Sequence, residues 1–147
     1  MSEKINETVF DQYAHFVSLK PGVRSFLEEL AAHKIPIALA TATDRACVEV
    51  CLERLGIAKF FRHIVTCTET GAGKEFPLVY ERAGASLGVP REFTCVFEDS
   101  LHAAATAKQA GFPVCAVYDE VASKSSEWGP LRRLADCSCI RLTDLLP

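Results

Sequence analysis

The chain has 147 residues, 49% of them hydrophobic, and a mean hydropathy of +0.13, which suits one compact domain with a buried core. Sixteen Lys and Arg against nineteen Asp and Glu give a formal net charge of -3, without the basic excess that binding to a phosphate backbone requires, so nucleic acid is not expected as a partner. No apolar run approaches the roughly 20 residues that span a bilayer, and the opening MSEKINETVF is polar, so neither a membrane segment nor an export signal is expected.

Along the chain, Ile5, Val9, Tyr13, Phe16 and Val17 recur at helical spacing and predict a separate helix leading into the rest. Val23, Phe26, Leu27 and Leu30 follow Pro21-Gly22 at i, i+3, i+4 and i+7, and predict a helix with one buried face. A short apolar run at 37–40 comes next. Val48, Cys51, Leu52 and Leu55 then repeat the helical spacing before Gly56. Further apolar runs at 64–67, 94–97 and 114–117 alternate with helices at 78–87 and 101–110, which stop at Gly88 and Gly111. A polar loop at 121–130, a short helix at 131–135, a weak strand at 138–140 and a turn complete the chain. The four runs are apolar on both faces, as parallel strands covered by helices on both sides are. The expected fold is therefore α/β and Rossmann-like, with any ligand held beyond the carboxyl ends of the strands.

Seven cysteines without a Cys-x-x-Cys pair signal neither a disulfide framework nor a tetrahedral zinc site, and fit a reducing, cytoplasmic compartment. Cys67, Cys95 and Cys115 read as small hydrophobes within strand-like runs. Cys47 with Cys51, and Cys137 with Cys139, are spaced so that either pair could touch a metal, but no further ligands stand near them in the sequence.

Three strand ends carry chemistry. Glu98 and Asp99 are adjacent acids where a strand gives way to a helix. They repel unless a cation lies between them, and hard oxygen ligands suit magnesium; the alternative is that Asp99 or Ser100 only caps the helix. Lys74 follows Thr70-Gly71-Ala72-Gly73, a loop that permits close backbone approach and supplies a point charge for a phosphate. It is not a nucleotide P-loop, because one residue separates the glycines and Glu75 follows the lysine. Thr41 ends the first run, and its hydroxyl, with backbone N–H groups such as that of Ala42 before the next helix, can receive phosphate oxygens. Thr43 is the expected cap of that helix. His102 reads as a first-turn helix residue at the rim, His63 as the start of a strand, and Tyr118 and Trp128 as packing of the long loop.

The order strand-Thr41, loop-Lys74, strand-Glu98-Asp99, in the stretches KPGVRSFLEEL, IPIALATATD, GAGKEFPLVYERAGASLGV and CVFEDSLHAAATAKQAGFPV, resembles the haloacid dehalogenase superfamily, in particular its phosphatase and β-phosphoglucomutase-like branch. The resemblance covers most of the chain from Lys20 to about Val117. It implies that Thr41 binds the transferring phosphoryl group, that Lys74 neutralises it, and that Glu98 and Asp99 hold Mg2+. It further implies a small phosphorylated metabolite, such as a sugar phosphate, as substrate, a residual cap helix and connector over 1–19, and a core domain over 20–147.

The sequence departs from the family at one decisive point. The family's first strand ends in Asp-x-Asp, whose first aspartate attacks phosphorus, and no Asp-x-Asp occurs in these residues. Asp11 is a poor substitute: it lacks the second acid and a preceding apolar run. Glu75-Phe76-Pro77, Leu78 and Ala103 also differ from common family residues. The expectation is thus a truncated, inactive magnesium-dependent phosphohydrolase, with a non-catalytic pseudo-enzyme or a phosphoacceptor module as alternatives. With the first strand missing, the strands ending at Thr41 and Glu98 are expected to close up and pair directly; otherwise the slot invites strand addition or self-association.

Overall fold

A computed structural model describes residues 3–121 and 126–147; residues 122–125, within the predicted polar loop, lie outside the described residues. Helix α1 spans Glu3–His15, α2 Val23–Ala32, α3 Arg45–Arg54, α4 Cys67–Thr70, α5 Leu78–Ser86, α6 Leu101–Gln109 and α7 Trp128–Leu134. Strand β1 spans Ala38–Thr41, β2 His63–Thr66, β3 Val96–Glu98, β4 Val114–Val117 and β5 Cys137–Cys139. No helix of the described residues is long and apolar enough to cross a membrane.

The strands form parallel ladders, as their two-faced apolar character predicts, but there are two ladders rather than one. In the first, β1 pairs with β2, Ala38 opposite His63 and Thr41 opposite Thr66. In the second the order is β3-β4-β5, with Val96 opposite Val114 and Cys115 opposite Cys137. Among the described residues β1 has no strand partner besides β2, and β3 none besides β4. The expected direct pairing of β1 with β3 therefore does not form.

The physical reason lies in the helices that span both ladders. On one face, Val79 and Tyr80 of α5 share a buried cluster with Ala104 and Ala107 of α6 and with Val114 and Ala116 of β4, while Ala40 of β1 and Val65 of β2 pack against it. On the opposite face, Leu27 of α2 joins Val48, Leu52 and Ile57 with Leu39 and Ile64, and Phe26 of α2 meets Phe97 of β3 edge to face at 5.5 Å. Closing the opening would slide both helices off interdigitated contacts on one ladder or the other.

Burial follows this division. All four residues of β4, covered on both faces and paired on both edges, are buried. Phe97 of β3 remains 40% exposed, and β1 is only partly covered throughout. Helix α2 begins at Gly22, whose φ of 81° is a left-handed value that favours glycine; a Cβ there would lie 2.9 Å from Thr143 of the C-terminal turn.

Several predicted boundaries shift for local reasons. Strand β2 stops at Thr66 because Thr66 and Glu69 form a reciprocal capping box: the Thr66 hydroxyl accepts the Glu69 N–H at 3.2 Å, and the Glu69 carboxylate accepts the Thr66 N–H at 3.3 Å. Cys67 thus opens α4 rather than ending a strand. Strand β3 starts late because a 3-10 turn at Arg91–Phe93 is followed by Thr94, whose hydroxyl donates to the Pro90 carbonyl at 3.1 Å. Cys95 is consequently exposed, not the small core hydrophobe expected. Asp44, not Thr43, is the N-cap of α3, since the Thr43 N–H is turned back onto the Thr41 hydroxyl at 3.0 Å.

Candidate phosphate and metal site

The charged groups singled out in the sequence lie beyond the carboxyl ends of the strands. Helix α4 ends at Gly71 in the left-handed region, φ 75°, and the Thr70 hydroxyl donates to the Cys67 carbonyl at 3.0 Å and accepts the Ala72 N–H at 3.4 Å. This compact turn carries Lys74 to the end of β3, where its ammonium is ion-paired with Glu98 Oε1 and lies 5.6 Å from the centre of the Tyr80 ring. The Tyr80 hydroxyl donates to the same Glu98 oxygen at 2.7 Å. Glu98 is only 6% exposed, and these charge-assisted bonds offset the cost of burying its carboxylate. Burial, then the neighbouring Glu98 charge, holds the Tyr80 phenol well above its usual pKa, so Tyr80 acts here as a donor only.

Asp99 is more open. Its partner is Lys20, whose ammonium stands 3.3 Å from Asp99 Oδ2 and is also paired with Asp119, just past β4. Ser100 caps α6, its hydroxyl accepting the Ala103 N–H at 3.4 Å, so the capping role is filled beside the acids rather than by Asp99. Lys74, Glu98, Asp99, Ser100 and His102 line one open cleft of about 540 Å3.

Thr41 and the partly exposed residues after it belong to the other ladder and do not line that cleft. Ala42 is exposed, and the Tyr13 hydroxyl is 3.3 Å from Thr43 Oγ1, which ties α1 to this loop. Asp11 lies on the exposed surface of α1, 3.5 Å from His15, and not at a strand end. His63 opens β2, and Tyr118 packs edge to face on Trp128 at 5.3 Å, as the sequence predicts for both.

Sequence reasoning missed Lys20, Tyr80 and the part played by Asp119. Asp119 sat in view, directly after the last predicted parallel strand. Lys20 gives no signal, since its partners are remote in sequence, and Tyr80 reads simply as an apolar position of a helix.

The donors present fit a divalent cation. Asp99 and Asp119 already converge on one positive charge, and their hard oxygens suit magnesium. Among the described residues no three or more His, Cys, Asp or Glu side chains enclose a metal position. Waters and substrate oxygens would therefore complete the shell, as is usual for this ion.

A parallel α/β layer with paired lysines and carboxylates at its strand ends defines a Rossmann-like domain. The sequence model of the haloacid dehalogenase-like hydrolases matches residues 1–117, and the chain belongs to that family. It is 32% identical over 109 residues to a phosphorylated carbohydrates phosphatase of Thermotoga maritima, covering 74% of this chain and 50% of that protein. Its structure is similar to that of CbbY from Rhodobacter sphaeroides solved with phosphate, with a TM-score of 0.80 and 25% identity, over 93% of this chain and 60% of the other. It shares its fold with a β-phosphoglucomutase from Clostridium difficile, with a TM-score of 0.78 and 20% identity, over 97% of this chain and 60% of the other. The chain thus spans about half the length of the curated phosphatase it matches.

Proposed function

We propose that this domain is the phosphoryl- and magnesium-binding part of a cytoplasmic phosphohydrolase of the haloacid dehalogenase type, acting on a small phosphorylated metabolite such as a sugar phosphate. The observation that carries the reading is the convergence of Lys74, Glu98 and Asp99 on one cleft at the end of β3. From the neighbouring ladder, outside the cleft, Thr41 would supply a hydroxyl and Ala42 a backbone N–H to phosphate oxygens that reach across to it, and Lys74 the charge that neutralises them. Glu98 and Asp99, joined by Asp119, would hold magnesium; Lys74 and Tyr80 both donate to Glu98 Oε1. Bound magnesium would add charge neutralisation for the phosphoryl group.

The attacking carboxylate is not supplied by these 147 residues, which contain no Asp-x-Asp. We assign it to a strand seated in the opening between the ladders, where it would gain backbone partners on both sides. The isolated chain then binds ligand and metal without turnover. Residues 1–19 fit the role of a cap helix and connector, and 20–147 that of the core.

Titration calorimetry tests the binding half: weak magnesium binding lost in Asp99→Asn is expected, whereas submicromolar binding or indifference to the substitution counts against it. A peptide consisting of an apolar strand followed by Asp-x-Asp-Gly tests the other half. It should raise the melting temperature and restore magnesium-dependent hydrolysis of p-nitrophenyl phosphate, which the chain alone should not catalyse. Hydrolysis by the chain alone that disappears in Asp11→Asn would instead make Asp11 the nucleophile.

A further inference from the structure

The ladder β3-β4-β5 carries a concentration of thiols that the proposed site does not use. Val114 and Ala116 of β4 face the α5–α6 cluster, so Cys115 and Val117 face the other way, where they cluster with Cys139 and Leu142. Cys115 is directly opposite Cys137 and Val117 directly opposite Cys139. Residues in register on neighbouring strands point to the same face, so Cys115, Cys137 and Cys139 share it. The exposed Cys95, just before β3 on the far side of β4, completes a group of four.

Within this group the members differ in access. Cys115 is 0% exposed and Cys139 5%, while Cys137 is open to solvent. Neighbouring strands lie about 4.8 Å apart, inside the range of roughly 4.4 to 6.8 Å between Cα atoms that a disulfide spans. Two thiols in register at this spacing can form a bond of sulfur with sulfur.

We propose that Cys115 and Cys137 are a redox pair, oxidised by hydrogen peroxide to a disulfide that ties β4 to β5. The exposed Cys137 thiolate attacks the peroxide O–O bond, forming a sulfenic acid and releasing hydroxide, which takes up the thiol's proton as water. The Cys115 sulfur then displaces the sulfenic oxygen, and its own proton leaves with that oxygen as a second water. Both thiols together lose two electrons and two protons, and the peroxide is reduced to two waters. Burial, with the neighbouring Cys137, pushes the Cys115 thiol up, so Cys115 stays protonated and waits while Cys137 meets the oxidant first. Its slow intrinsic reactivity is offset by being held beside its target.

The full chain is treated with hydrogen peroxide, its remaining thiols are blocked with iodoacetamide, and a non-reducing tryptic digest is read by mass spectrometry. The expected result is one cross-linked pair of peptides, one containing Cys115 and the other Cys137, lighter by two hydrogens than their sum. Two of the seven thiols should be lost from the count, and dithiothreitol should restore them. Cys137→Ser, at an exposed position that leaves packing intact, should abolish the cross-link, and Cys95→Ser should leave it unchanged. A bridge that persists in Cys137→Ser, through Cys139 or Cys95, would overturn the assignment. So would a disulfide-linked dimer, or Cys137 recovered as sulfinic acid without any bridge.

Discussion

Lys74 and Tyr80 both donate to Glu98 in a place with little water. Lys74→Met leaves a buried carboxylate with the phenol alone, and should cost about 2–3 kcal/mol of stability in urea unfolding. Pairing that change with Glu98→Gln should recover part of the loss, because the stranded charge is then gone. Asp136 works differently, at the surface. One of its oxygens accepts the Val114 N–H at 2.8 Å at the start of β4, the other pairs with Lys108 at 3.1 Å, and these bonds hold its carboxyl below the ordinary value of 3.8. A group whose folded pKa lies below its unfolded one stabilises the fold above the unfolded pKa and loses that contribution as the pH falls through the folded one. Stability should therefore decline as the pH drops below about 4, and Asp136→Asn should flatten that decline. Because Asp136 is half exposed, the effect should stay under about 1 kcal/mol.

Among the described residues, β4 is the one strand with neighbours on both edges and cover on both faces. Its amides should exchange with deuterium most slowly, while amides of β1 and β3 directed away from β2 and β4 should exchange early, despite sitting in the middle of the fold's sequence pattern. That contrast also measures how far sequence could reach. Val114–Val117 was legible to the residue because four apolar side chains between Pro113 and a polar stretch describe a buried parallel strand. Helix α4 was not legible, since its four residues carry no periodicity and exist because Thr66 and Glu69 cap each other. The separation of the ladders was legible only as the alternative that the family resemblance left open, a slot between the strands ending at Thr41 and Glu98. Apolar patterning reports what a strand can bury, not whether a neighbour is present, and β1 reads as a central strand although only one of its edges is paired. Lys74, Glu98 and Asp99 stand out in the sequence because residue type and position at a strand end agree, and the fold brings them to one cleft; Lys20 does not, because only the folded chain places it beside Asp99.

At the scale of the molecule, α2 and α5 hold the two ladders as one body, so thermal unfolding should be a single cooperative transition. The unpaired strand edges and the exposed apolar side chains Phe16 and Phe97, 66% and 40% exposed, are the features that natural proteins otherwise cover. Sedimentation velocity should therefore show association growing with concentration, and the strand peptide should suppress it; a monomer at every concentration would mean that the edges are shielded in solution.

Lys20 gives the proposed metal site a rival built into the chain. Its ammonium rests between Asp99 and Asp119 and is fixed at the root of α2, next to Pro21 and the Gly22 that abuts Thr143. A cation held by Asp99 and Asp119 would have to displace this ammonium, and with it the anchor of the residues that lead into α2. Removing the rival in Lys20→Met should tighten magnesium binding by roughly tenfold. In the wild type, the amide resonances of Leu19, Lys20, Gly22 and Val23 should move as magnesium is added, reporting the metal's arrival from a segment that is not among its proposed ligands.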